Sequence, residues 1–341
     1  MGPDGSADRP VFLRPQRPAE HRRTETVDDS TGRHAVQNRL LAIVQLMRLP
    51  AVFTAFADVF AGFALRNGTV EFNGVFARLL VISGCLYTAG MVFNDVFDRR
   101  EDARHRPGRP IPSGRVGLPA ATLIGVLLIA AALGCAASLG RPTIELASAL
   151  TAAVLLYDGW GKRTPLGPVV MGSCRALDVL VGASVAVAST GSAPPMDLRA
   201  PFAPPIVHAA VAMGVYVAGL TWFARREATG STPRSLLAAA VVANLGIAGL
   251  LGFLLTTRPS NLSLLVVLLI VIALSINRRI APALANPRPA AIQAAVGTMI
   301  QSIVMLHATV VLAATQSVAA AAATAALLVP ALLLRRVVPI T

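Results

Sequence analysis

From Leu40 onward the chain alternates long apolar runs with short polar connections, after 37 residues whose longest apolar stretch is Val11–Leu13. The runs fall at about 41–65, 77–98, 118–139, 143–157, 167–189, 205–224, 235–256, 261–277, 290–313 and 317–334. A helix needs about 20 residues to cross the hydrocarbon core, so most of these predict spanning helices, with the fourth and eighth short. Gly and Pro inside them do not weaken that reading, because neighbouring helices can satisfy the backbone groups they free. The pattern predicts an all-α polytopic membrane protein with nine or ten transmembrane helices. Residues 1–37 cannot bury enough surface to offset their ordering entropy and are read as a disordered basic cytoplasmic tail. They hold no signal-peptide core, so the first span acts as an uncleaved signal.

Composition excludes the soluble alternative. Of the 341 residues, 55% are hydrophobic and 14% charged, against about 25% charged in soluble proteins. The net charge of +13 does not point to nucleic acid, because the basic residues sit in bursts between apolar runs. Arg/Lys-rich connections (99–117, 158–166, 225–234 and 278–289) alternate with poor ones holding only Arg141, Arg199 or Arg258. By the positive-inside rule the chain lies in the inner (cytoplasmic) cell membrane with its N-terminus and the basic loops in the cytoplasm. Cys85, Cys135 and Cys174 have no metal or redox spacing and read as small packing residues.

Acids are scarce and unevenly placed. Of 17, six lie in the tail, and none follows Glu227. Asp95, Asp98, Glu101 and Asp102 sit together where the second span ends. If the helix continues, Asn94, Asp98, Glu101 and Asp102 fall at i, i+4, i+7 and i+8, on one face. Clustered carboxylates repel unless a cation sits among them, and Mg²⁺, which bridges carboxylates to substrate phosphates, is the natural candidate. The plainer reading is a hydrated helix end paired with Arg99, Arg100, Arg104 and Arg106. The loop that follows, Arg106-Pro-Gly-Arg-Pro-Ile-Pro-Ser-Gly-Arg115, is ordered and non-helical by its Pro and Gly content. Arg109 and Arg115 either face a phosphate or are simply positive-inside charge.

Asn94-Asp95-x-x-Asp98-x-x-x-Asp102, with Arg109-Pro-Ile-Pro-Ser-Gly-Arg115 behind it, resembles the first Asp-rich motif of the UbiA superfamily of intramembrane prenyltransferases. Tyr157 with Lys162-Arg163, at the end of the fourth span, is similar to that family's tyrosine followed by Lys-Arg. The resemblance covers about residues 40–315 and is nearest to UbiA-like proteins from small bacterial biosynthetic clusters. It implies one domain at 38–341, a helical bundle around an intramembrane cavity. It further implies Mg²⁺-dependent transfer of an isoprenyl group from a prenyl diphosphate to an aromatic or other small lipophilic acceptor. Asp95, Asp98, Asp102 and Asn94 would carry the catalysis and the metal.

One departure stands out. The family's second Asp-rich motif belongs at the end of the sixth span, where this chain has Arg225-Arg226-Glu227. Glu227 can supply at most one metal ligand, and Arg225 or Arg226 can meet the diphosphate directly. Arg175 and Asp178, one turn apart in the fifth span, are expected either to pair as a helix stitch or to orient the acceptor. Asp58 either faces the same cavity or packs, and His307 is a packing histidine or a proton acceptor. Trp160 and Trp222 read as interface anchors. A membrane terpene cyclase of the same superfamily, and a lipid carrier without chemistry, are the competing functions.

Overall fold

The computed structural model describes residues 41–187, 202–225 and 232–337. Among these the regular structure is helical throughout: α1 Leu49–Asn67, α2 Gly74–His105, α3 Leu118–Ala137, α4 Arg141–Gly159, α5 Gly167–Gly182, α6 Pro204–Ala224, α7 Pro233–Thr257, α8 Leu262–Ala285, α9 Pro289–Thr315, α10 Val318–Ala325 and α11 Leu328–Val337. Among the described residues seven helical segments are long and apolar enough to cross a membrane, which makes this a multi-pass membrane protein. The shorter α4 and α5 pack within the same bundle.

Proline writes most of the helix starts. Helices α1, α3, α4, α5, α6, α7 and α9 carry Pro in the first two positions, where a missing N–H costs nothing and the fixed φ suits the helix. Helix α2 instead starts at Asn73, whose side chain accepts from the Val75 and Phe76 amides. Helical residues 41–47 precede α1, and the break falls at Arg48, with φ 45° and ψ 44°. Pro50 has no N–H to offer the Leu46 carbonyl, which is why the ladder stops there.

Two expected runs differ in extent. The second continues to His105, so α2 is 32 residues long and the whole acidic cluster rides on it. The tenth splits into α10, against α9, and α11, against α1. The predicted tail at 1–37, with Arg226 and Glu227, lies outside the described residues.

Sequential helices are neighbours, and α9 returns to α1, which also touches α2 and α5. The α1–α5 contact is backbone on backbone. A Cβ on Gly62 would lie 2.0 Å from the Val179 carbonyl oxygen, and one on Gly182 would lie 2.8 Å from Val59 Cα. Small residues permit such approach between membrane helices. Gly62 is one turn from Asp58, and Gly182 one turn from Asp178, so this crossing brings their polar side chains together.

Candidate active site

The long α2 carries its acids past the apolar part of the bundle, and basic side chains from three other segments converge on them. Asp95 Oδ1 accepts from Arg48 Nη2 at 2.9 Å and from Arg109 Nη1 at 3.2 Å. Arg109 Nη1 also reaches Asp102 Oδ2 at 2.6 Å. Lys162 Nζ lies 2.7 Å from Asp98 Oδ2 and donates to Asn94 Oδ1 at 2.8 Å. Arg163 Nη2 donates to Asp98 Oδ1 at 3.1 Å. Four basic groups thus face three carboxylates. Asp95, Asp102 and Arg109 are buried, so these pairs are desolvated, whereas Arg163 is half-exposed.

Local folding sets each partner. The loop after α2 closes on itself through Ser113 N–H to the Arg109 carbonyl and Val116 N–H to the Pro110 carbonyl. Gly114 takes φ 74°, a conformation that disfavours any side chain. Ile111 and Val116 pack on Ala42, Leu46, Val92 and Val96, which lays Arg109 over the acids. Lys162 and Arg163 come from a 3₁₀ turn, Gly161–Arg163, between α4 and α5. Arg48 was not singled out by the sequence, where it reads as one more basic residue at a span end. The backbone break at Arg48 lets its guanidinium reach Asp95.

Two other expected site residues make no ion pair with the acids of α2 among the described residues. Arg115 turns to the Gly108 carbonyl at 2.6 Å and Gln45 Oε1 at 2.9 Å, tying the loop to the segment before α1. Arg225 is exposed at the end of α6. Trp160 and Trp222 are exposed near helix ends.

Directly beneath the charged cluster lies a narrow cavity of about 60 Å³. Gly90 and Met91, one turn below Asn94 and Asp95, line it together with Tyr157 and Asp158. Its middle is apolar, with Leu86, Leu150, Val154 and Met171, and its inner end is Ser83, Arg175 and Asp178. Arg175 does not pair with Asp178, the expected partner on its own helix. Its Nη2 instead crosses to α1, donating to the Thr54 carbonyl at 2.6 Å and lying 2.8 Å from Asp58 Oδ2. Asp178 Oδ2 accepts from Ser83 at 2.8 Å. The close α1–α5 crossing decides this, because it puts Asp58 nearer to the guanidinium than the residue one turn along. His307 Nε2 lies 2.5 Å from Asp58 Oδ1 behind the wall. Sequence spacing could not reveal these links, which join residues far apart in the chain.

A sequence profile of the UbiA prenyltransferase family matches residues 55–338. The chain belongs to the UbiA prenyltransferase family. It is similar to the digeranylgeranylglyceryl phosphate synthase of Methanopyrus kandleri, 31% identical over 146 residues, covering 41% of this chain and 53% of that protein. The chain thus spans about half the length of this curated relative. The fold of this UbiA-family chain is similar to the solved structure of digeranylgeranylglyceryl phosphate synthase, with TM-score 0.57 and 17% identity over 82% of this chain and 99% of the other. It is likewise similar to a UbiA homologue from Archaeoglobus fulgidus solved with DMAPP and Mg²⁺, with TM-score 0.53 and 13% identity over 83% and 99% of the two chains.

Among the described residues no three Asp, Glu, His or Cys side chains gather into a ready metal cage. The donor set still suits Mg²⁺, which usually takes one or two carboxylates plus substrate phosphates rather than a dedicated cage. Asp95 and Asp102 each leave one carboxylate oxygen outside their ion pairs.

Proposed function

We propose that the protein transfers an isoprenyl group from a prenyl diphosphate to a small lipophilic acceptor within the membrane. The observation that carries this reading is the acid–base cluster on α2 standing over an apolar cavity. Relatives named for digeranylgeranylglyceryl phosphate synthesis, and a family fold solved with DMAPP and Mg²⁺, support it.

The diphosphate binds at the cluster by exchange of ion pairs. Arg48, Arg109, Lys162 and Arg163 turn from the carboxylates to the phosphate oxygens, through charge-assisted hydrogen bonds. The carboxylates so released, Asp95, Asp98 and Asp102, would hold Mg²⁺. When bound, the metal supplies Lewis-acid neutralisation of the departing diphosphate. The four basic side chains stabilise that same developing charge. Leu86, Leu150, Val154 and Met171 hold the prenyl tail and exclude water that would quench an allylic cation. The loops joining these residues face the cytoplasm, as their basic charge favours, which puts the diphosphate end where the soluble substrate arrives.

The test is diphosphate release by purified full-length protein with Mg²⁺ and DMAPP or geranyl diphosphate, with and without lipophilic acceptors. Wild type releases diphosphate and forms a product heavier by one prenyl unit. Asp98→Asn and EDTA each abolish both. Lys162→Met weakens prenyl diphosphate binding by about 1.5–3 kcal/mol, the worth of a hydrogen bond to a charged group, or about 10- to 150-fold. Wild-type protein that binds neither diphosphate, or Asp98→Asn that turns over normally, refutes the reading.

A further inference from the structure

We propose that the inner end of the cavity, formed by Arg175, Asp178 and Ser83, binds a hydroxyl group of the acceptor and holds it by the end remote from the diphosphate. This rests on the transferase reading above, and names the substrate class of the same cavity.

Polar groups in an otherwise apolar membrane cavity carry a cost unless they are hydrogen-bonded. Arg175 and Asp178 are both more than nine-tenths buried, and both line the cavity. Yet Arg175 Nε and Asp178 Oδ1 have no hydrogen-bond partner among the described residues. One is a donor and the other an acceptor. Ser83 occupies Asp178 Oδ2. The other oxygen, Oδ1, has no partner, so Asp178 keeps hydrogen-bonding capacity.

A hydroxyl fits this pair because it donates one hydrogen bond and accepts others. It can donate to the Asp178 carboxyl and accept from the Arg175 guanidinium, both of which line the cavity. An anionic head group does not fit: it brings no donor for Asp178, and it adds negative charge where two carboxyls already face one guanidinium. An ammonium satisfies Asp178 but leaves Arg175 Nε without a partner.

Distance gives the acceptor its shape. Ser83 and Asn94 both lie on α2, about 16 Å apart along its axis at 1.5 Å per residue. The hydroxyl is therefore far from the carbon that leaves the diphosphate. An acceptor with an apolar body of several carbons spans the interval and presents its reacting atom upward.

Cys174 reports occupancy without any turnover, because it lines the cavity and is buried. In full-length protein carrying Cys85→Ala and Cys135→Ala, thiol labelling of Cys174 is measured against 4-hexylphenol and its methyl ether, 4-hexylanisole. The phenol is expected to protect at concentrations at least tenfold lower than the ether, which cannot donate. In Asp178→Asn, where the charge assistance is lost, the preference falls below threefold. Equal protection by both probes, protection by neither, or a tenfold preference that survives Asp178→Asn overturns the proposal. The wild-type comparison stands whether or not the variant folds. Diphosphate release from DMAPP is followed in the same preparation. Phenol preference without release refutes the transferase reading and leaves the hydroxyl site in place, and release without preference does the reverse.

Discussion

Replacing Arg175 by Met removes the one guanidinium that meets Asp58 among the described residues and leaves that buried carboxyl without it. Asp58 is fully buried and Arg175 nearly so, so water cannot substitute for the lost partner. Removing one member of such a pair costs about 3–5 kcal/mol, because an uncompensated charge remains in low dielectric. The Thr54 carbonyl loses a donor too, but it sits within α1 and keeps its helical bond, so Asp58 dominates the loss. Exchanging both partners for apolar residues removes that charge. Arg175→Met/Asp58→Leu should therefore recover at least about 2 kcal/mol relative to the sum of the single variants, within the range of coupling found for residues in contact. The assay is SDS-induced unfolding of purified protein in detergent micelles, followed by helical circular dichroism, for wild type, both singles and the double. A single-variant cost under about 1 kcal/mol would refute the reasoning, since a pair that mattered so little could not be desolvated. Strict additivity would refute it equally, by showing that Arg175 and Asp58 do not meet.

Gly62→Ala should cost about 1–3 kcal/mol in the same assay, the usual penalty of overpacking, because its methyl would strike the Val179 carbonyl. Gly297→Ala, with nothing within 4 Å of the added methyl, should instead stabilise α9 by about 0.5–1 kcal/mol; equal effects of the two would remove the α1–α5 contact from the account. A cysteine at Glu101 should label with an impermeant thiol reagent from the cytoplasmic face and one at Arg258 from the opposite face. Reversal of that pattern would overturn the proposed orientation.

The helices were readable from the sequence because they rest on local causes. A run of about 20 apolar residues fixes a span; the structure adds that a proline in the first turn marks where the helix begins, at Pro119 or Pro233 as much as at Pro289. The acidic face of α2 was equally legible, since Asn94, Asp98 and Asp102 are related only by helical period. What the tertiary structure alone decided is who faces whom. Asp98 takes Lys162, Asp95 takes Arg48 and Arg109, and Arg175 passes over Asp178 for Asp58. The first two choices depend on where the 3₁₀ turn, the 106–116 loop and Arg48 fold back onto α2, and the last on the approach of α1 to α5, set where Gly62 meets Val179 and Gly182 meets Val59. A short-range pattern holds no record of that approach, because the residues that set it are more than a hundred positions apart in the chain.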